Sequence, residues 1–427
     1  MKRHQLISIL FMSISLFIFS YTFYYSEIAF NSTRHYFYLK YYIVSIVCII
    51  LSFASFFIGK ELKIKIFLVS TSIVFSFYIV ELFLGIQFKS KFDHKNYDVV
   101  TEFKKQSLDN LDNKNLTIAM LPRQINENLH SLGGISNKKT IYCNEHGYFT
   151  NFKSDRYGFN NNDDVWDADQ IEYLLVGDSS LLGSCVRENE TIVGNLSNLT
   201  EHQKILNLGY SGNGPLLEYA SLKEYLPELS AVKNIVWIYY EGNDFFELKR
   251  RLKNKFLVNY LDDYNFKQNL VNKQNFIDEH LNTRVSNLLK KPYDPREFEP
   301  GYLKKFLKLY NLRVIFFEPL FIKDNYKEFK KIIINTQKFV KENNSNLYFV
   351  YIPTYESLSN FYFSRHKKKY HKVLEIVKNQ NIILIDMFEE FKKIDNPLKL
   401  YPFKDDGHLD GFGYRIIANS IIKKKIN

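Results

Sequence analysis

Cysteine is scarce in this sequence, with three residues among 427, and no cluster of candidate ligands has the spacing of a metal site. A disulfide-dense scaffold is therefore excluded, and no bound metal is expected. Cys48 lies within an apolar stretch, whereas Cys143 and Cys185 lie in the more polar remainder of the chain. These two can pair only if that remainder folds in an oxidising compartment, so the membrane topology has to be inferred first.

Internal repeats, low-complexity segments and nucleic-acid-binding motifs are also lacking. The net charge of +11 would suit a nucleic-acid partner, but the lysines are scattered and no binding motif accompanies them. A solvated, lysine-rich surface near an anionic membrane explains the same charge. We therefore expect no nucleic acid among the partners.

Three long apolar runs lie within the first 90 residues, at 6–25, 41–59 and 66–86. Each has about 20 residues, enough to cross the hydrocarbon core of a bilayer as a helix. The basic start of the chain could also begin a signal peptide, but the first run has no small-residue cleavage site after it. The pattern predicts a membrane domain over residues 1–90 with three retained transmembrane helices, and a cleaved first segment is the alternative.

Positive charge predicts the orientation of these helices. Lys2 and Arg3 precede the first run, and three lysines lie in the tight turn 59–65 between the second and third runs. Both sites belong on the cytoplasmic side, so three crossings place everything after residue 86 outside the cytoplasm. The chain is thus predicted to be a multi-pass cell-membrane protein with a periplasmic or cell-surface domain. In that space a Cys143–Cys185 disulfide is expected, with two free buried thiols as the alternative.

Glu81 interrupts the third apolar run near its outer end. An ionised carboxylate is unfavourable within a bilayer. The sequence favours a side chain that reaches the interface or is protonated, and leaves a functional role within the membrane as the alternative.

Residues 91–170 are polar and weakly periodic, which predicts an extracytoplasmic stalk and lead-in. From residue 171 short apolar runs recur, separated by amphipathic stretches. Runs that are apolar on both faces indicate a parallel sheet covered by helices on each side. The runs are 171–176, 205–208, 234–240, 347–352 and 382–385. The stretch at about 245–344 is too long for one crossover helix and predicts a helical insertion.

Four short motifs follow these runs in order. They are Gly177-Asp178-Ser179, the glycine-rich loop 207–215 with Gly212, Gly242-Asn243-Asp244, and Asp405-Asp406-Gly407-His408. Each alone is an ordinary turn. However, the first three each end an apolar run, and the carboxyl edge of a parallel sheet is where α/β proteins place their sites. A carboxylate beside His408 could bond to Nδ1 and leave Nε2 free to accept a proton.

As an ordered set, these motifs resemble the four sequence blocks of the SGNH (GDSL-type) hydrolase superfamily, over residues 171–420. The lead-in 154–160 and the phrase at 239–244 resemble a bacterial, membrane-attached branch of it. The resemblance implies a three-layer α/β/α sandwich with a five-stranded parallel sheet, of flavodoxin-like type. Ser180 and Asp410 depart from the usual residues of the branch.

The resemblance also implies the roles of particular residues. Ser179 would be the nucleophile and His408 its general base, with either Asp405 or Asp406 as the acid of the triad. The backbone N–H groups of Ser179 and Gly212 and the side chain of Asn243 would form the oxyanion hole. No metal or organic cofactor is required by this chemistry.

Three functions are compatible with these residues. The first is a membrane-anchored serine esterase acting outside the cytoplasm, which removes acyl groups, often acetyl, from envelope carbohydrate or lipid. The second is an O-acyltransferase for surface polysaccharide that works with other polysaccharide-assembly membrane proteins. The third is a catalytically idle binding or assembly module on the same fold. Three spans offer no evident machinery for importing an acyl donor, which favours hydrolysis.

Overall fold

A computed structural model of the chain describes residues 4–29, 35–92, 99–109, 115–201, 203–290, 302–313, 325–359, 366–404 and 407–426. The chain forms two compact units. The first consists of residues 1–89 and 296–322, and the second consists of residues 90–295 and 323–427.

The first unit contains three long apolar helices. Helix α1 (Gln5–Phe23) continues into a π-helical turn (Tyr24–Ala29), and it is followed by α2 (His35–Ala54) and α3 (Lys60–Phe92). The stretches 5–29, 38–57 and 60–86 are long and apolar enough to cross a membrane, which agrees with the three predicted runs. Their orientation stays a prediction.

Small polar side chains lie where α1 packs on α2. The Ser15 and Ser52 hydroxyls are 2.8 Å apart, and the Ser8 hydroxyl donates to the Ser55 carbonyl at 3.2 Å. Serine lets two helices approach closely and satisfies its own hydroxyl between them, as in membrane-embedded helix pairs.

Two short helices of the predicted insertion also belong to the first unit. They are α11 (Tyr302–Leu307) and α12 (Tyr310–Leu312). Leu309 between them has a positive φ of 47°, so the chain bends there instead of continuing as one helix.

The second unit is built on a five-stranded, wholly parallel sheet, as the apolar runs predict. The strands are β6 (Ile171–Gly177), β7 (Ile205–Asn207), β8 (Val232–Tyr240), β9 (Asn346–Ile352) and β10 (Ile383–Asp386). Their spatial order in the sheet is β10-β9-β8-β6-β7. The observed strands begin or end within two residues of the predicted runs.

Both faces of this sheet are buried. Along β6, Leu174 and Val176 join one apolar cluster and Tyr173 and Leu175 join another, because successive side chains of a strand point to opposite faces. The first cluster includes side chains from α7 (Pro215–Tyr225), α13 (Tyr326–Glu342) and α15 (Lys367–Lys378). The second includes side chains from α6 (Ile192–Leu199), α16 (Met387–Phe391) and α17 (Gly411–Ile426). Helices therefore cover the sheet on each side.

The lead-in packs against this core, whereas the sequence suggested a stalk. After α4 (Val99–Asp109) come five short strands: β1 (Leu116–Ile118), β2 (Gln124–Asn126), β3 (Leu129–His130), β4 (Lys139–Ile141) and β5 (Asn151–Lys153). Phe103 and Phe159 are fully buried in the same cluster as Leu174. Polar residues dominate the lead-in sequence, but its few apolar side chains are enough to attach it.

The part of the insertion within the second unit is helical, as predicted. It contains α8 (Asp244–Arg251), α9 (Lys255–Asp262) and α10 (Gln274–Lys290). Two further short helices complete the unit, α5 (Ser179–Leu182) and α14 (Tyr355–Ser359).

Candidate active site

Ser179 lies at a sharp strand-to-helix turn. Strand β6 ends at Gly177, and Ser179 is the first residue of the short helix α5. The Asp178 carboxylate caps this helix by accepting from the Ser180 N–H at 2.9 Å. A Cβ at Gly177 would lie 3.0 Å from the Ile238 carbonyl oxygen, a tight contact, so glycine lets β8 pass close to the end of β6. The turn thus holds Ser179 at the carboxyl edge of the sheet.

His408 contacts Ser179 although it lies far along the sequence of the second unit. Its Nε2 lies 2.9 Å from the Ser179 Oγ, although 229 residues separate the two in sequence. The loop that carries His408 is held by two further bonds. Tyr240 donates its hydroxyl to the Gly407 carbonyl at 3.1 Å, and the Asp410 N–H donates to the Leu400 carbonyl at 2.8 Å. The structure therefore brings together the two side chains that the motifs predict as nucleophile and base.

Glu145 contacts the opposite side of the imidazole ring. Its Oε1 lies 3.0 Å from the His408 Nδ1, and the two side chains are 13% and 24% exposed. A carboxylate at Nδ1 favours the tautomer in which Nε2 is free to accept a proton. Asp405 and Asp406 lie outside the described residues, so the prediction that one of them orients His408 stays a prediction.

A disulfide brings Glu145 to this position. Cys143 and Cys185 are bonded, with Cα atoms 5.2 Å apart, and Glu145 is two residues from the first of them. His146 adds a contact between its Nδ1 and the Cys185 carbonyl at 2.8 Å. Sequence reasoning missed Glu145 because nothing around it forms a motif. The available signal was its neighbour Cys143, since a pairing with Cys185 places residue 145 near the Ser179 turn.

The lead-in also contacts the Ser179 turn directly. The hydroxyls of Tyr142 and Ser184 are 2.6 Å apart, and Ser184 in turn donates to the Ser179 carbonyl at 2.7 Å. Burial raises the pKa of the Tyr142 phenol, so this group stays neutral and able to donate at neutral pH. The serine turn is therefore fixed by residues on both sides of the disulfide.

The loop after β7 lies against the end of β6. The Gly177 carbonyl accepts from the Asn213 Nδ2 at 3.2 Å and from the Tyr210 N–H at 3.3 Å. Gly212, the predicted oxyanion donor, has a φ of +67°, a conformation that favours glycine. This loop and the Ser179 turn thus share one edge of the sheet, as predicted.

Asn243 lies at the same edge, directly before helix α8. It follows β8, which pairs with β6 in parallel with Gly177 opposite Ile238. Its side-chain oxygen is buried and has no hydrogen-bond partner among the described residues. A buried amide without a full set of partners is unfavourable unless another group completes it. The atom without a partner is a hydrogen-bond acceptor, whereas the oxyanion role predicted for Asn243 would use its Nδ2 donor.

Two arginines that the sequence did not single out hold the Gly212 loop. Arg123 donates to the Asn213 Oδ1 at 2.9 Å and to the Ser211 carbonyl at 3.1 Å, and Arg251 donates to the Gly212 carbonyl at 2.6 Å. Burial, together with the nearby charge of Arg251, lowers the pKa of Arg123 to about 9. Arg123 comes from the lead-in and Arg251 from α8, so no local pattern could link them to this loop. They orient its backbone and add positive charge beside it.

Two carboxyl groups are buried in the same region. Burial raises the pKa of both Glu218 and Asp244, and the negative charge of Asp178 raises each further. Each accepts one hydrogen bond: Glu218 from the Trp237 indole at 2.6 Å, and Asp244 from the Tyr240 N–H at 2.9 Å. Two buried carboxyl groups with raised pKa values thus lie close to Asp178.

A metal ion is not favoured by the ligand set at this site. Within the described chain, Glu145, Cys185 and His408 bring potential ligand atoms within 4.8 Å of one another. However, the Cys185 sulfur is in a disulfide and cannot act as a thiolate. The two remaining groups are hydrogen-bonded to each other, an arrangement that orients the imidazole ring.

No protein-family model matches the chain, and no curated protein is significantly similar to it in sequence.

Proposed function

We propose that this protein is a membrane-anchored serine esterase of the SGNH type that acts outside the cytoplasm. The observation that carries the proposal is the chain of contacts from Ser179 through His408 to Glu145, at 2.9 and 3.0 Å. A hydroxyl, an imidazole and a carboxylate in this order are the parts of a nucleophilic triad, whatever their order in the sequence.

The proposed reaction begins with proton transfer from Ser179 to His408. As His408 Nε2 takes the hydroxyl proton, the Ser179 Oγ attacks the ester carbonyl carbon and a tetrahedral oxyanion forms. His408 then gives the proton to the departing alkoxide, which leaves as the alcohol, and an acyl-enzyme remains. Water repeats the sequence and releases the acid. Glu145 stabilises the imidazolium that forms in both halves.

The oxyanion needs donors that are already in place. In the proposal these are the backbone N–H groups of Ser179 and Gly212 and the side-chain amide of Asn243. All three follow neighbouring parallel strands, and Arg123 and Arg251 fix the loop of Gly212. Donors held rigidly by the fold need no reorganisation during the reaction, which is the main source of their effect.

The proposed substrates are acylated carbohydrate or lipid of the cell envelope, and the three apolar helices and the disulfide support this choice. An oxidised pair of cysteines suits an extracytoplasmic domain, where acylated envelope carbohydrate or lipid is present. In this proposal the acyl group that is transferred to Ser179 is a group such as acetyl, and water then releases it as the acid. Transfer to a carbohydrate hydroxyl would use the same acyl-enzyme, and the products distinguish it from hydrolysis.

The purified full-length chain in detergent should react with a fluorophosphonate and hydrolyse 4-nitrophenyl acetate. Ser179→Ala removes only the hydroxyl, so labelling and hydrolysis should both fall to background. Ser230→Ala is the matched control, because Ser230 is exposed and lies before β8, at the edge of the sheet opposite to Ser179.

An unlabelled wild-type protein with an intact disulfide would contradict the proposal and favour an idle binding module. So would hydrolysis by Ser179→Ala at the wild-type rate. Adding a sugar acceptor and analysing the products then separates hydrolysis from transfer.

A further inference from the structure

Glu81 is a buried carboxylate in the last third of the apolar helix α3. Its residue is 1% exposed, and a carboxylate within a spanning segment is unfavourable unless it is paired or hydrogen-bonded. The sequence favoured a side chain that reaches the interface or is protonated. The structure instead places three hydrogen-bond donors around the Glu81 carboxylate.

Its partners come from about 230 residues further along the chain. The Glu81 Oε1 accepts from the Asn311 backbone N–H and side-chain amide, both at 3.0 Å, and Oε2 accepts from the Leu312 N–H at 2.9 Å. Both carboxylate oxygens therefore accept hydrogen bonds from one short segment, residues 302–313, which we call the docking segment. Hydrogen bonds to a charged group are about twice as strong as neutral ones.

Further contacts attach the docking segment to α1 and α3. Tyr78, one turn before Glu81, donates its hydroxyl to the Leu307 carbonyl at 3.2 Å, and its ring packs on Phe306 at 5.2 Å. The Lys308 ammonium lies 5.6 and 5.5 Å from the ring centres of Tyr21 and Tyr25. Tyr21 and Tyr25 lie at the carboxyl-terminal end of α1, and Glu81 lies towards that of α3. These are the ends predicted to lie on the outer side.

The docking segment leaves an apolar face uncovered. Leu303 and Leu307 are four residues apart on α11, so they share one face, and they are 68% and 58% exposed. At the same level α3 exposes Ile79 and Leu82, at 52% and 46%. Leu303 and Leu307 therefore lie in the same unit as α3, and the exposed apolar side chains of α3 are suited to contact with lipid.

We propose that the docking segment is a membrane-interface element, held by Glu81, whose Leu303 and Leu307 contact lipid acyl chains. Lysines at 304, 305 and 308 alternate with these leucines in the sequence. Apolar residues interspersed with lysine are typical of segments that lie in the plane of the membrane interface. In this proposal the outer leaflet of the bilayer covers the exposed face of Leu303 and Leu307.

A fluorescent probe at position 307 tests the proposal. In a Cys48→Ser background, Leu307→Cys is labelled with an NBD maleimide and the full chain is reconstituted in vesicles of phosphatidylcholine and phosphatidylglycerol. The probe should emit at a shorter wavelength than in water, and spin-labelled lipids should quench it several-fold. Leu199→Cys is the matched control, a leucine 44% exposed on helix α6 of the other unit, and its probe should remain in water.

Glu81 is tested in the same assay. Glu81→Leu removes both acceptors, so the quenching at position 307 should decrease, whereas Glu81→Gln keeps one acceptor oxygen and should lose less. Retention of the Cys143–Cys185 bond shows that each variant has folded. Equal emission and quenching at positions 307 and 199 would overturn the lipid contact. Unchanged quenching in Glu81→Leu would overturn the role of Glu81. Neither result bears on the reactivity of Ser179, which is measured separately.

Discussion

At the scale of single residues, three carboxylates are candidates for the acid of the proposed triad. The motif places Asp405 and Asp406 close to His408 in sequence, and the described partner of the His408 Nδ1 is Glu145. A carboxylate at this position does not take up the proton. It holds the imidazole in the productive tautomer and stabilises its charged form.

We expect Glu145→Gln to lower the kcat of ester hydrolysis by about 10²–10⁴-fold with little change in KM, because the amide favours the wrong tautomer. Pre-steady-state hydrolysis of 4-nitrophenyl acetate measures the acylation step directly. Glu188→Gln is the control. Glu188 is exposed and lies three residues after Cys185, so its substitution should leave the rate unchanged.

The aspartates are compared in the same experiment. If Asp405→Asn or Asp406→Asn reduces kcat more than Glu145→Gln does, then the acid is in the motif and Glu145 has a lesser role. Equal, moderate losses in Glu145→Gln and one aspartate variant would indicate two carboxylates that share the imidazole.

At the scale of elements, the lead-in makes two connections to the candidate site. The Tyr142 hydroxyl contacts Ser184, which donates to the Ser179 carbonyl, and Cys143 lies two residues from Glu145, which contacts His408. The disulfide joins cysteines that are 42 residues apart, and the loop that it closes includes β6 and Ser179. It therefore constrains the candidate site as well as the unfolded chain.

Replacing both Cys143 and Cys185 by serine should lower the free energy of unfolding of the catalytic unit by about 3–4 kcal/mol, from the loop-closure entropy. It should also lower kcat, since Glu145 loses its anchor two residues away. Denaturant titration and hydrolysis rates measure the two effects. Cys48→Ser, which removes the cysteine in α2, should change neither. Full activity in the double variant would show that other lead-in contacts are sufficient to place Glu145.

At the scale of the whole molecule, membrane orientation and covalent chemistry are linked. Three apolar helices and lysines in the turn 59–65 predict that the second unit is extracytoplasmic, and a stable disulfide there requires an oxidising compartment. The orientation can therefore be tested through the cysteines.

Protein denatured without reduction, straight from cells, should react with one polyethylene-glycol maleimide, at Cys48, and with three after reduction. The added mass is read on a gel. Three additions without reduction would contradict the extracytoplasmic orientation. They would leave the Ser179–His408 geometry unaffected, because that contact does not involve the cysteines.

Local sequence was sufficient for much of this protein. The three spanning helices and five parallel strands follow from runs whose hydrophobicity decides burial without reference to the rest of the chain. Ser179 could be chosen because it lies in a short motif at the end of such a run, and His408 because acidic residues and glycines flank it. The distance of 2.9 Å between them depends on the loop that carries His408, which hydrogen bonds to Tyr240 and Leu400 hold in place.

Only the tertiary structure decided the partners of isolated polar residues. Glu145 meets His408 across 263 residues, and Glu81 meets Asn311 across 230. A single carboxylate in a polar or apolar stretch has no periodicity that identifies its partner. What selects the partner is the need to satisfy a buried polar group, and that need exists only after the chain has folded around it.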